Sequence, residues 1–296
     1  MTFPPVRQVG IYGTGRLAGS LAAALHPHPD VHVCGLTGRD RTRADATATT
    51  AGVPSASLTD LLTTIDLLII AVSDTAIPDV AEQVAAAMTG PTPAVVHCSG
   101  AQSVDILAPL ARRGAATAVW HPLQAFPTTT TIPAPGITWT LTGGPQSAQL
   151  VTMLQQLTHT LSGRTHLLDD HHRAAYHAAA VLAANLPTAL LAHAATILTD
   201  CGFTSDNALD ALLPLTRSAL DALAHSGIPH GMTGPVMRGD IATIQHHLNA
   251  LDARPQTAEL YRACSHGLLP YAQARALSPD IVDTLTTILD ERTDHR

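Results

Sequence analysis

An α/β fold is predicted, a doubly wound parallel sheet followed by an all-helical half, and three observations predict it. Short β-rich runs alternate with Ala/Leu-rich helical stretches up to about Leu168, strand-like runs stop after Asp169, and a glycine turn joins the first strand to the first helix. A chain of 296 residues is long for one core and comfortable for two. The domains are placed at 1–168 and 169–296, with the boundary near Thr165–His171.

The strand candidates are Gln8–Tyr12, Val31–Leu36, Leu67–Val72, Ala94–His97, Ala116–Trp120 and Ile137–Leu141. They are short and rich in Val, Ile and Leu, as strands covered on both faces should be. Between them lie Leu17–Leu25, Arg41–Ala51, Ile77–Met88, Val104–Arg112 and Ser147–Leu161, which read as helices. Beyond Asp169 long helical segments follow, with breaks expected at Pro187, Gly202, Pro214, the Gly227–Pro235 loop and Pro255. Internal repeats and coiled-coil heptads are not evident. The Thr/Pro run Pro127–Pro135 reads as a surface loop or flap.

Aromatic residues are only 3% of the chain, so the core must come from Ala, Leu, Val and Ile, which favours closely packed helices. The formal charge of -7, without a basic run, argues against a nucleic-acid or anionic-membrane surface. A small-molecule partner is expected. All 16 cationic residues are Arg, which excludes Schiff-base chemistry, a P-loop lysine and a lysine acid. Cys34, Cys98, Cys201 and Cys264 form no C-x-x-C pair, and a reducing cytoplasm fits them. Met1–Val6 lacks the features of a secretion signal. The apolar stretch Ala174–Leu198 contains His177, Asn185, Pro187 and His193, and is read as a buried interdomain or dimer helix rather than a membrane span.

The first strand runs into Gly13-Thr14-Gly15-Arg16-Leu17-Ala18, a G-x-G-x-x-A turn between strand and helix. There the first glycine allows the turn, the second lets a pyrophosphate approach the backbone, and the helix N-terminus offers free N–H groups and a positive dipole. An NAD site usually carries an acid at the end of the second strand, about 20 residues on. Here Thr37 takes that place, followed by Arg39, Arg41 and Arg43 at alternate positions. Arginines neutralise a 2′-phosphate that an acid would repel, so NADP(H) is expected, held by Gly13, Thr14, Gly15, Arg16, Leu17, Thr37, Arg39 and Arg41. Asp40 argues the other way, and Arg41 and Arg43 also read as a solvated helix start. Val72, Ser73, Ser99 and Gly100 close later strands and should face the same ligand, though Ser73 reads equally as a helix cap.

Reduction of a carbonyl builds negative charge on oxygen and needs a proton donor. Two of the 17 histidines stand out. His121 closes a strand on the ligand edge of the sheet, and His177 follows Tyr176 early in the long apolar helix. Asn185 lies eight residues beyond His177, about 80° around a helix, so both side chains can face one cleft. Each of the three also reads as a satisfied core or turn residue. Arg238 is a candidate to grip a substrate carboxylate, with Asp240 orienting it or capping the next helix. His171/His172 and His246/His247 are adjacent pairs that diverge on a helix, and no metal site is expected.

These residues form a pattern. The runs Gly13-x-Gly15, His97-Cys98-Ser99-Gly100-Ala101, His121-Pro122-Leu123-Gln124-x-Phe126, Tyr176-His177-Ala178-Ala179, Asn185, Leu213-Pro214-Leu215, Thr233-Gly234-Pro235-Val236-x-Arg238-Gly239-Asp240 and His247-Leu248 resemble the Rossmann-like proteins whose C-terminal half is a domain of unknown function, DUF2520. The resemblance implies a 6-phosphogluconate dehydrogenase-like fold, NADP(H), and a homodimer formed through the C-terminal helices. It also implies an alternative type of ketopantoate reductase with a small-carboxylate substrate; Tyr176, Arg238 and Asp240 are expected on the substrate side. His177, then His121, stands in for the lysine other such reductases use, with Ser99 and Asn185 bonding the reacting oxygen. A pyrroline-5-carboxylate-type imine reductase, a non-catalytic NADP(H) sensor and a deazaflavin–NADP oxidoreductase are the alternatives.

Overall fold

The computed structural model describes residues 8–291, and the segment on which the reading of the N-terminus rests lies outside them. Contacts divide the chain into two compact units, up to Ala184 and from Asn185 onward. The change of composition at Asp169 marks the end of the sheet; the helix that follows still belongs to the first unit.

In chain order the first unit holds β1 (Gln8–Tyr12), α1 (Arg16–Leu25), β2 (His32–Thr37), α2 (Arg41–Ala51), α3 (Leu58–Leu62), β3 (Leu67–Ile70), α4 (Ile77–Ala87) and β4 (Ala94–His97). A 3-10 turn at Val104–Leu107 then leads into α5 (Ala108–Ala111), followed by β5 (Thr117–Pro122), β6 (Thr138–Gly143), α6 (Ala148–Thr160), β7 (Arg164–Leu167) and α7 (Arg173–Ala184). The strands form one sheet in the order β2-β1-β3-β4-β5-β6-β7. The first five run parallel, β6 is antiparallel to β5, and β7 is parallel to β6.

Alternation along the strands builds two cores. Leu67 and Ile69 join α1, α2 and α6 on one face, while Leu68 and Ile70 join α3, α4 and α5 on the other. Few aromatics are needed because Ala18, Ala22, Ala44 and Ala48 let α1 and α2 pack closely. The exception is Trp120, stacked on Trp139 at 4.3 Å between ring centroids. The chain goes from β1 outward to β2, then returns to the other side of β1 at β3, so the topological switch point lies between β1 and β3. Ligands of open α/β sheets sit at such a crevice.

Among the described residues the elements of the second unit are all helices: α8 (Leu186–Asp200), α9 (Ser205–Ser226), α10 (Pro235–Arg238), α11 (Ile241–Ala250), α12 (Pro255–Ala274) and α13 (Pro279–Asp290). Val236, Ile244, Leu248, Leu269, Val282 and Leu285 form its core.

Three sequence expectations are corrected. Pro214 does not end a helix: α9 runs through it, and the carbonyl that loses its N–H partner belongs to Asp210, which is exposed. The expected helix Val104–Arg112 is a 3-10 turn that becomes α-helical only at Ala108. The sheet has one strand more than the pattern suggests, because β7 is exposed at all its positions and carries no apolar signal. The Thr/Pro run after Phe126 forms the expected surface loop, tied to α1 where the Thr128 carbonyl accepts from the Ser20 hydroxyl at 3.1 Å.

Candidate active site

A cavity of about 650 Å³ opens at the carboxyl ends of β1 and β3, lined by Gly13, Thr14, Gly15, Arg16, Leu17, Arg39, Arg43, Val72 and Ser73 among others. Gly13 sits at φ +151, and a Cβ there would stand 2.2 Å from the Ala71 carbonyl; only glycine lets β1 turn this close to β3. Gly15 then caps α1 in extended conformation, leaving the first amides of the helix directed at the cavity wall.

Thr37 does not line the cavity. It is buried, and its carbonyl accepts the Gly13 N–H at 2.8 Å, so it braces the glycine turn from behind. Of the three arginines, Arg39 and Arg43 reach the cavity, whereas Arg41 pairs with Asp45 at 3.0 Å on the exposed side of α2. Asp40 also lines the wall, but its carboxylate accepts the Arg43 N–H at 3.1 Å as the cap of α2. That bond and the adjacent guanidiniums offset the charge an anionic ligand would meet. A glycine cradle closed to any side chain, bare helix amides and two guanidiniums make this donor set fit a dinucleotide bearing an extra phosphate.

A second group of side chains gathers farther along the same sheet edge, after β4 and β5. Gly100 is its floor: a Cβ there would lie 2.7 Å from His177 Nδ1 and 2.9 Å from His121 Nε2. Thus the two sequence-predicted histidines converge on one glycine. On its other side His121 Nδ1 meets the Tyr176 hydroxyl at 2.7 Å, the rings nearly perpendicular at 88°. His177 Nδ1 is buried and has no hydrogen-bond partner, a deficiency that costs about 1–3 kcal/mol unless something supplies one.

Beneath lies a network missing from the sequence reading. Arg173 is 2% exposed; its Nε donates to Asp170 at 3.2 Å and its Nη2 donates to Thr142 of β6. Asp170 in turn accepts from the Ser103 hydroxyl at 2.5 Å and from the Val104 N–H at 3.3 Å. His97 accepts the Ser99 N–H on Nδ1 at 3.2 Å, so its Nε2 carries the proton and donates to the Ser103 carbonyl at 3.2 Å. The start of α7 and the loop bearing Gly100 are therefore fixed to each other by one carboxylate.

Burial pushes the imidazole of His97 down to about 4. His121 is likewise pushed down to about 4, by burial first and then by the positive charge of neighbouring imidazoles and Arg173. Both are neutral at physiological pH. Burial raises the Tyr176 hydroxyl, although Thr140 and Arg173 pull the other way.

The remaining candidates sit elsewhere. The Ser99 hydroxyl accepts the N–H groups of Ala101 and Gln102 at 3.2 and 3.0 Å, so it shapes the turn and keeps its own O–H to donate. Asn185, Arg238 and Asp240 belong to the second unit. Exposed Asn185 begins α8, its carbonyl accepting from Thr188 at 2.6 Å. Arg238 is exposed, and Asp240 caps α11 through the Thr243 N–H at 3.1 Å. Among the described residues there is no cluster of His, Cys, Asp or Glu that could hold a metal ion.

Residues 2–122 match the model of a Rossmann-like domain, and residues 137–267 match DUF2520, a domain of unknown function. A search of curated proteins gives no match. Among solved structures, a Bacteroides fragilis protein described as an NADP oxidoreductase superposes with a TM-score of 0.73 at 22% identity, covering 89% of this chain and 98% of its own. The reductive aminase of Aspergillus terreus, solved with NADPH and ethyl levulinate, has a TM-score of 0.61 at 19% identity, covering 96% and 99%. The 1-pyrroline-5-carboxylate reductase of Streptococcus pyogenes has a TM-score of 0.61 at 17% identity, covering 95% and 98%. At such identities the likeness is one of fold.

Proposed function

Because the chain belongs to the family that joins a Rossmann-like domain to DUF2520, we propose that it is an NADPH-dependent reductase of a small 2-oxo acid, ketopantoate first. The observation that carries this reading is the convergence of His121 Nε2 and His177 Nδ1 on Gly100, on the sheet edge that also holds the glycine turn and the arginine-lined cavity. When bound, NADPH supplies a hydride. The amides opening α1 would hold its pyrophosphate, and Arg39 and Arg43 its 2′-phosphate. The unpartnered His177 nitrogen is the natural partner for a polar atom of the substrate.

A second reading, reduction of C=N, is favoured by the neutrality of His121: an imine arrives already protonated and asks less of an acid. Following NADPH absorbance with ketopantoate and with cyclic imines separates the two. Tight NADPH binding without turnover on either would favour a sensor instead.

The coenzyme assignment has its own test. Arg39→Ala and Arg43→Ala are each expected to weaken NADPH binding about tenfold or more, the cost of one charge-assisted phosphate contact, while NADH affinity stays within about twofold. Calorimetry reads both, and an equal loss for both coenzymes would refute the assignment.

We also propose that the chain pairs as a homodimer through its C-terminal helices. None of the most apolar window of Asp170–Asp200, with mean hydropathy 1.6, is buried. In the second unit Leu186, Leu190, Leu209, Leu215 and Leu220 are exposed, apolar side chains that pairing of two chains would cover. By length and composition alone the Asp170–Asp200 stretch would cross a membrane, yet Arg173, Tyr176 and His177 within it are engaged with the sheet. Light scattering should return twice the chain mass of 30.8 kDa; a monomer at micromolar concentration would count against pairing. The described cysteines are free thiols, which suits the proposed cytoplasmic location.

A further inference from the structure

We infer that Tyr176 and His121 form a neutral proton relay, in which the proton His121 Nε2 gives to the reacting atom above Gly100 is replaced at Nδ1 by the proton of the Tyr176 hydroxyl. The inference rests on the reductase reading and deepens it. It assigns Tyr176 to His121 rather than to the substrate.

A neutral imidazole carries one N–H, so whatever bonds Nδ1 decides what Nε2 presents. The Tyr176 hydroxyl stands 2.7 Å from Nδ1. If it donates there, Nε2 bears the proton and faces Gly100 as a donor. If Nδ1 donates instead, Nε2 becomes an acceptor. The two arrangements have the same charge and differ by the movement of protons along one line. A phenol is a far stronger acid than the N–H of a neutral imidazole, so of the two arrangements the first is favoured, with the hydroxyl donating to Nδ1. The phenol proton then has Nδ1 as its acceptor.

The geometry at the other end requires an occupant. His121 Nε2 and His177 Nδ1 both face the side of Gly100 where a Cβ would stand, and the second is buried without a partner. A carbonyl oxygen between them would meet one imidazole donor from His121 and a second polar contact from His177. As hydride from NADPH reaches the carbon, the C=O π pair becomes the oxygen lone pair that takes the Nε2 proton. Nδ1 takes the phenol proton, the imidazole ends neutral, and Tyr176 is left as phenolate. After the alcohol leaves, a proton from solvent is taken up at Nε2 and Nδ1 returns its proton to the phenolate, which restores the starting tautomer. The buried Arg173, whose Nη1 has no hydrogen-bond partner, supplies the nearby positive charge that makes the phenolate tolerable. No imidazolium is needed, which reconciles a proton donor at His121 with burial that keeps it uncharged.

Histidine-selective nitrogen-15 labelling of the full chain tests the relay in the free protein. At neutral pH the His121 resonances should report a protonated Nε2 and a bare Nδ1. In Tyr176→Phe that preference should collapse to a tautomer mixture. With ketopantoate the same variant should lose roughly 10- to 100-fold in kcat while KM stays within about twofold, part of the range for general acid catalysis. A His121 found as imidazolium or with its proton on Nδ1, or a Tyr176→Phe protein with unchanged kcat, would overturn the relay. Failure of the wild-type protein to bind NADPH or turn over ketopantoate strikes the reductase reading alone, because the tautomer is read without either.

Discussion

Gly100→Ala is expected to lower kcat by at least about 100-fold while NADPH affinity stays within about twofold. The added methyl would stand 2.7 Å from His177 Nδ1 and 2.9 and 3.1 Å from His121 Nε2 and Cε1, nearer than nonbonded atoms tolerate. All three are side-chain atoms, so the rings give way and the backbone does not have to. His121 can move only by leaving the Tyr176 hydroxyl, and His177 only by leaving the space between the rings. Overpacking of this kind costs about 1–3 kcal/mol of stability, which a folded protein survives. The glycine turn at Gly13 is on other strands, so coenzyme binding is the internal control. Steady-state rates together with calorimetry decide the matter, and turnover at the wild-type rate would show that the imidazoles do not act at Gly100.

Gly13 and Gly100 also show what is legible in a sequence. Gly13 is announced by its neighbours: a β-run, a second glycine two positions on, and a helix, a local pattern tied to one backbone geometry. Gly100 follows a strand as many turn glycines do, and its importance comes from His121 and His177, which only folding brings to it. The arginines after β2 make the same point on a smaller scale. Two positions along a helix are about 200° apart, so Arg41 and Arg43 cannot both face one ligand. The sequence carries no phase to choose between them, and the structure selects Arg43. Most strands were readable because β1 to β5 are apolar on both faces; β7 was not, because it lies at the sheet edge in the polar run Arg164–Leu167. Ser99 illustrates a residue type with two uses, since a hydroxyl after a strand serves a ligand, a turn or both, and here its oxygen serves the turn. The Arg173–Asp170 pair looks like an ordinary helix start; its meaning lies in Ser103, 67 residues away.

That pair carries the second large effect. Asp170→Ala should cost about 3 kcal/mol at neutral pH, the lower end for removing one partner of a buried ion pair. It strands a guanidinium that is 2% exposed and releases the Ser103 hydroxyl and Val104 N–H. The Asp170→Ala/Arg173→Met double variant should be more stable than Asp170→Ala alone, because removing the unpaired charge relieves the penalty. The pH dependence isolates the group. Burial would raise the Asp170 carboxyl, but hydrogen bonds from Ser103, Val104 and Arg173 outweigh it and hold it below the ordinary 3.8. A depressed acid binds more protons unfolded than folded, so its stabilisation is complete above that ordinary value and disappears as pH falls through the lower, folded one. His97 and His121, pushed from 6.5 to about 4, also favour the unfolded state as protons are added, but between those two values and in both proteins. Urea titrations should therefore give a constant deficit for Asp170→Ala from about pH 8 to about pH 5, narrowing only below 3.8. A deficit that already closes across the histidine range would mean that Asp170 acts through the imidazoles and that the buried charge of Arg173 is stabilised by something other than this carboxylate.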